Sequence, residues 1–197
     1  KIGKKYIGDK YPCYVVAELS GNHNGKLSNV YDLIDKAKSA GADAIKIQAY
    51  QANTITIDSE NKDFRINKSN TWSDYSTLFK LYKKAQTPLS WLPSIFKYCR
   101  KNRITIFASV FDKSSIKILK KLNCPAYKIA SPEITDIPLL EEVAKTKKPI
   151  IISTGLANYK DIKLAYKTII KKNKNLVILK CTSSYPAKYN ELNLNTI

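Results

Sequence analysis

Short apolar runs with strand character alternate along this chain with segments of helical periodicity, and that alternation restricts the fold more than any other feature. The strand patterns run Tyr14 to Glu18, Asp43 to Tyr50, Ile104 to Ala108, Ala126 to Ile129, Pro149 to Ser153 and Leu176 to Cys181. From about Leu27 to Ala40, apolar Val30, Leu33, Ile34 and Ala37 share one helical face, and Gly41 closes the segment. Further helical patterns occupy Tyr75 to Lys84, Pro93 to Lys101, Ser114 to Leu122, Ile137 to Lys145 and Tyr159 to Lys171. Strands joined by helices pair in parallel, so the chain is α/β. Six strands with five complete βα units predict a (β/α)8 TIM-type barrel that is incomplete, with about six of its eight strands in these 197 residues, since such barrels usually need about 250. An open doubly wound sheet fits the same count. Against it, the first βα loop reads SGNHNGK without the G-x-G-x-x-G spacing of a dinucleotide fold, and no Walker A sequence occurs.

Three of the strand patterns carry a lysine. In AYKIASPE (126 to 133) Lys128 stands between Tyr127 and Ile129, in AIKIQ (44 to 48) Lys46 and Gln48 share a face, and LVILKC (176 to 181) has Lys180 near its end. A single such lysine is usually a snorkelling side chain or a guard on an edge strand. An ammonium buried in a strand needs an anionic partner or a polar cavity to offset its desolvation. Three at strand ends, followed at one of them by Ser131 and Glu133, point to a pocket for an anion, at the end of the sheet where α/β folds carry ligands.

Composition removes other classes. The 44% hydrophobic content suits one sizeable core, and no apolar run approaches the roughly 20 residues of a membrane-spanning helix. The four cysteines form no C-x-x-C pair, three of them sit in or beside apolar segments, and they read as buried thiols of a reducing compartment, which implies a cytoplasmic location. A net charge of +18 invites a nucleic-acid partner, but the lysines are dispersed, the densest cluster being Lys171, Lys172 and Lys174, and no nucleic-acid motif is present. The charge therefore reads as a solvated surface. The long polar stretch from Tyr50 to about Ser73 exceeds ordinary loop lengths and reads as functional or mobile.

The segments VVAELSGNHNG (15 to 25), AGADAIKIQAY (40 to 50), PAYKIASPEITDIPLL (125 to 140), KPIIISTGLAN (148 to 158) and LKCTSSYPA (179 to 187) together resemble the sialic acid synthase family, whose members condense phosphoenolpyruvate with an acylamino sugar. The A-E-L-S-G-N-H-N-G form and LYKKAQTPLSW (81 to 91) resemble the pseudaminic acid synthases within it; N-acetylneuraminate and legionaminate synthesis are the alternatives. The resemblance implies that residues 1–197 are the N-terminal synthase barrel, truncated, without the C-terminal antifreeze-like domain that in the family completes a homodimer. On that expectation the short chain alone is inactive, and the contrasting possibility is a barrel remnant that only binds.

The same resemblance assigns roles. Lys46 and Lys128 match lysines that hold the phosphoenolpyruvate anion, and Ser131 and Ser153 match hydroxyls on its phosphate or carboxylate. Ser109 falls where the family has Thr in S-T-P-F, with Val110 in place of the Pro, and Ser183 falls where many members have Asn. Gln48, Glu133 and Tyr185 match sugar-side positions, and Glu18 matches a carboxylate with a proton-shuttling role. The family uses a divalent metal, Mn or Mg, held by histidines on later strands, so no metal ligand is expected in this chain. On residue chemistry alone the two serines could cap the helices that follow them, Glu18 could pair with a nearby lysine, and His23 could make loop hydrogen bonds.

Overall fold

Every strand pattern forms a strand. In the computed structural model, which describes residues 1–184 and 186–197, β1 (Val16–Glu18), β2 (Ala44–Ala49), β3 (Thr105–Val110), β4 (Tyr127–Ile129), β5 (Ile150–Ser153) and β6 (Leu176–Leu179) form one sheet. All neighbours pair in parallel, in the order β1-β2-β3-β4-β5-β6. Sequential order decides between the two architectures that fit the pattern. A doubly wound sheet reverses its strand order once and so carries helices on both faces. Here every crossover steps in the same direction, and crossovers of one hand then leave all the helices on one face. The other face curls inward as the arc of a β/α barrel.

The helices are α1 (Leu27–Ser39), α2 (Ala52–Ile55), α3 (Leu78–Ala85), α4 (Leu92–Lys101), α5 (Lys113–Lys121), α6 (Ile137–Lys145) and α7 (Tyr159–Ile170). The starts of α5, α6 and α7 are fixed by side-chain acceptors in the loops that leave the strands. Asp112 Oδ1 accepts from the Ser115 N–H at 2.8 Å, Asp136 Oδ1 from Leu139 at 3.0 Å, and Asn158 Oδ1 from Asp161 at 3.1 Å. Each satisfies an otherwise orphaned donor of a first helical turn, and so holds the strand-end loops in place.

Alternation within the strands separates core from site. Ile45, Ile47, Ile106, Ala108, Ile129, Ile150 and Ile152 are buried in one cluster with Ile34 of α1, Leu92 and Phe96 of α4, Leu119 of α5, Leu140 of α6 and Ile169 of α7. Each large aliphatic side chain removed from water there contributes about 1.5–3 kcal/mol. β3 runs two residues past the Ile104 to Ala108 pattern. Buried, β-branched Val110 extends it and pairs with Ala49, where a proline could not have donated to a ladder.

The long polar stretch is anchored at several points. α2 begins with its Ala52 N–H on Gln86 Oε1 at 2.9 Å, a 3-10 turn spans Lys62–Phe64, and Arg65 bridges antiparallel to Thr77. All four cysteines are free thiols: Cys13 is exposed, Cys181 half-buried, and burial pushes the Cys99 and Cys124 thiols up to about 12. Among the described residues no helix is long and apolar enough to cross a membrane.

Candidate active site

Residues paired across a sheet share a face, so the register determines which side chains meet inside the arc. Lys46 pairs with Glu18 on one side and Phe107 on the other; Ser109 pairs with Gln48 and Lys128; Lys128 also pairs with Ile151. The inner face therefore carries Glu18, Lys46, Gln48, Ser109, Lys128 and Ser153, drawn from five neighbouring strands. Ser109, Lys128, Ser131 and Ser153 are buried. Polar groups in a protein interior must find partners, and these find one another.

Two linked clusters result. In the first, the Glu18 carboxylate is ion-paired with the Lys46 ammonium, and Lys46 Nζ lies 3.4 Å from Ser109 Oγ. Glu18 Oε1 also accepts from the Ser20 N–H at 3.1 Å and the Ser20 hydroxyl at 3.2 Å. In the second, Lys128 donates to Ser153 Oγ at 2.5 Å and to its neighbouring carbonyl, Ile129 O, at 2.6 Å. Ser153 Oγ also lies within hydrogen-bond distance of Cys181 Sγ, at 3.1 Å. Beside this, the Gly155 N–H donates to Ser131 Oγ at 3.1 Å. A methyl group on Gly155 would stand 2.3 Å from Ser183 Oγ and 3.2 Å from Ser131 Oγ, so the absence of a side chain leaves room for both serines beside Gly155.

The electrostatics are those of a cationic recess. Burial, and then the Lys128 charge, push the Lys46 ammonium down to about 8. Burial pushes Lys128 down to about 8, with Cys181 and Glu133 opposing. Glu133 is itself raised by burial and lowered by Lys128, and its Oε2 is buried without a hydrogen-bond partner. Two cations near enough to disfavour one another, with Glu18 the only ion-pair partner of either among the described residues, can accept a multiply charged anion.

Most residues singled out in the sequence meet here. Glu18, Lys46, Ser109, Lys128, Ser131, Ser153 and Ser183 lie in the contacts above, Gln48 is their half-buried register neighbour, and Glu133 borders Lys128. Tyr185 lies outside the described residues. Lys180 does not join them: its Nζ turns to Thr182 Oγ1 at 3.0 Å and Cys181 O, so the third strand-end lysine serves its own loop. Neither Ser131 nor Ser153 caps a helix; the caps are Asp136 and Asn158. The Glu18 pairing with a lysine is observed, but with Lys46 inside the site. His23 makes loop hydrogen bonds, its Nδ1 accepting from the Gly25 N–H at 3.0 Å. Cys181 and Gly155 belong to the site and were not picked out as site residues; a cysteine after an apolar strand and a glycine in S-T-G carry no signal of their own. Among the described residues no three His, Cys, Asp or Glu side chains are grouped to hold a metal ion.

The fold and the site together define a class: a β/α barrel with a cationic, serine-lined site at the C-terminal ends of its strands. The chain belongs to the NeuB family, whose model matches residues 33–197. It is 40% identical over 184 residues to the pseudaminic acid synthase of Helicobacter pylori, covering 93% of this chain and 54% of that protein. It is 42% identical over 185 residues to the pseudaminic acid synthase of Campylobacter jejuni subsp. jejuni serotype O:2, covering 93% and 53%. It thus spans about half the length of these relatives. Among solved structures, the N-acetylneuraminic acid synthetase of Leptospira borgpetersenii, in complex with citrate, superimposes with a TM-score of 0.87 at 31% identity, covering 100% of this chain and 64% of that one.

Proposed function

We propose that this chain supplies the phosphoenolpyruvate-binding part of a nonulosonic acid synthase, a transferase that joins phosphoenolpyruvate to an acylamino sugar and releases phosphate. The observation that carries this reading is the convergence of Lys46, Lys128, Ser109, Ser131, Ser153 and Ser183 at adjacent strand ends. Two point charges and short hydroxyl donors match a ligand bearing a phosphate and a carboxylate. The product is pseudaminic acid, formed from 2,4-diacetamido-2,4,6-trideoxy-altrose, a specificity supported by the two relatives of that name. The Leptospira neighbour supports N-acetylneuraminate synthesis as the second reading.

The reaction forms a bond between C3 of phosphoenolpyruvate and the aldehyde carbon of the open-chain sugar; water adds at C2, and phosphate leaves. Lys46, Lys128 and the serines hold the anion so that C3 meets the aldehyde, which converts an encounter into an intramolecular step. Glu18 moves a proton at the reacting centre while its pairing keeps Lys46 oriented. Gln48, Glu133 and Tyr185 contact the sugar. A divalent metal, Mn or Mg, would polarise the aldehyde oxygen as a Lewis acid. The described residues do not provide its ligands, so no step is assigned through it. The working protein is a cytoplasmic homodimer.

Calorimetric titration with phosphoenolpyruvate tests the reading. Saturable binding that inorganic phosphate competes away is the expected result; no binding at millimolar ligand overturns it.

A further inference from the structure

Ser153 Oγ is within hydrogen-bond distance of two groups, and their donor capacities differ. A hydroxyl has one hydrogen to give and two positions at which to accept. The Lys128 ammonium can only donate, so one acceptor position of Ser153 is filled by Lys128 at 2.5 Å. The Cys181 thiol, at 3.1 Å, can either give its hydrogen to Ser153 or accept the hydrogen of Ser153. If the thiol donates, both acceptor positions are filled and the Ser153 hydrogen is the one free group, available to an anion oxygen. If the thiol accepts, the Ser153 hydrogen is spent inside the protein and the hydroxyl has nothing to offer a ligand.

Lys128 narrows the choice. Of its three N–H groups one goes to Ile129 O and one to Ser153 Oγ, which leaves one for a ligand. An anion drawn to that N–H arrives beside Ser153 and attracts any hydroxyl hydrogen within reach, which favours the arrangement in which the thiol donates. Cys181 is half-buried beside Ser153 and, unlike Cys99 and Cys124, is not sealed in the core. It follows β6 on the face that Ser153 and its register partner Leu179 share.

We propose that Cys181 is a positioning residue: its thiol donates to Ser153 Oγ and thereby turns the Ser153 hydroxyl hydrogen, together with the free Lys128 N–H, toward the phosphoenolpyruvate anion. This rests on the anion-site reading above and adds to it a residue that touches no substrate. Serine at 181 can do the same work, because a hydroxyl donates as well as a thiol. Alanine cannot, and Ser153 is then free to rotate its hydrogen away.

The test is a calorimetric double-mutant cycle with phosphoenolpyruvate on the full chain. Cys181→Ala is expected to weaken binding about threefold to tenfold, the size of one neutral hydrogen bond. Cys181→Ser is expected to stay within about twofold of the parent. In a Ser153→Ala background, Cys181→Ala should cost nothing further, because the thiol acts through that hydroxyl. A packing role would make Ser and Ala equivalent and the two losses additive; either result overturns the proposal while leaving the anion site standing. Unchanged or tighter binding in Cys181→Ala does the same. If the parent itself does not bind phosphoenolpyruvate, the anion-site reading and this proposal fall together.

Discussion

Glu18 and Lys46 are register partners on neighbouring parallel strands, and their side chains form an ion pair at the mouth of the arc. That carboxylate neutralises one of the two cations that an incoming anion would use. Its removal should therefore strengthen anion binding at neutral pH, where Lys46, held near 8, is still charged. Glu18→Gln is expected to tighten phosphoenolpyruvate affinity by up to about fivefold at pH 7, in line with a partly exposed charge pair. Calorimetry at fixed salt checks it; weaker binding would mean that the pair's main role is to orient Lys46.

Lys128 should trade stability for binding. An ammonium held near 8 instead of its ordinary 10.5 is a cation that the fold accommodates at a cost on the order of 3 kcal/mol at neutral pH. Lys128→Met keeps the stem and removes the charge. We expect it to raise the melting temperature by several degrees and to abolish measurable phosphoenolpyruvate binding. Thermal melts and calorimetry on the same preparation decide it, and a destabilised variant would show that the ammonium is a net structural asset.

The two lysines also set a pH dependence whose sign can be worked out. Between about 8 and 10.5 the unfolded chain holds more protons on these groups than the folded chain does, so their contribution to stability rises with pH in that window. Buried Cys99 and Cys124, pushed up to about 12, act the other way above about pH 9. The measurement is therefore the difference in melting temperature between the parent and Lys128→Met, which share those thiols. That difference should shrink from pH 7 to pH 9.5. Over the same range phosphoenolpyruvate affinity should fall as pH passes about 8, because the lysines of the free site lose their protons.

Gly155 is required for space and not for its backbone angles. An alanine methyl there would meet Ser183 Oγ at 2.3 Å, Cys181 O at 3.1 Å and Ser131 Oγ at 3.2 Å. Gly155→Ala should displace both serines, weaken phosphoenolpyruvate binding at least about fivefold and leave the core intact, at a cost of roughly 1–3 kcal/mol. Equal affinity in the variant would remove Ser131 and Ser183 from the anion site.

By itself the sequence determined the elements and their kind. Strand and helix periodicities place every β-strand and the long helices to within a few residues, because apolar spacing follows from burying one face of each element. It also marked Lys46 and Lys128, since a charge inside an apolar strand is anomalous wherever the strand is placed. Which strands are neighbours and how they are offset was decided by the tertiary structure. Alternation tells which residues of one strand share a face, but it neither names the inner face nor fixes the register with the next strand. LVILKC shows the limit: its residues before Lys180 are all apolar, so nothing in that run says which alternate set faces inward. The packed sheet turns Cys181 to Ser153 and sends Lys180 to Thr182. Contacts such as Lys128 with Ser153, or Gly155 with Ser131, join residues from separate βα units, and they exist only once those units are packed side by side.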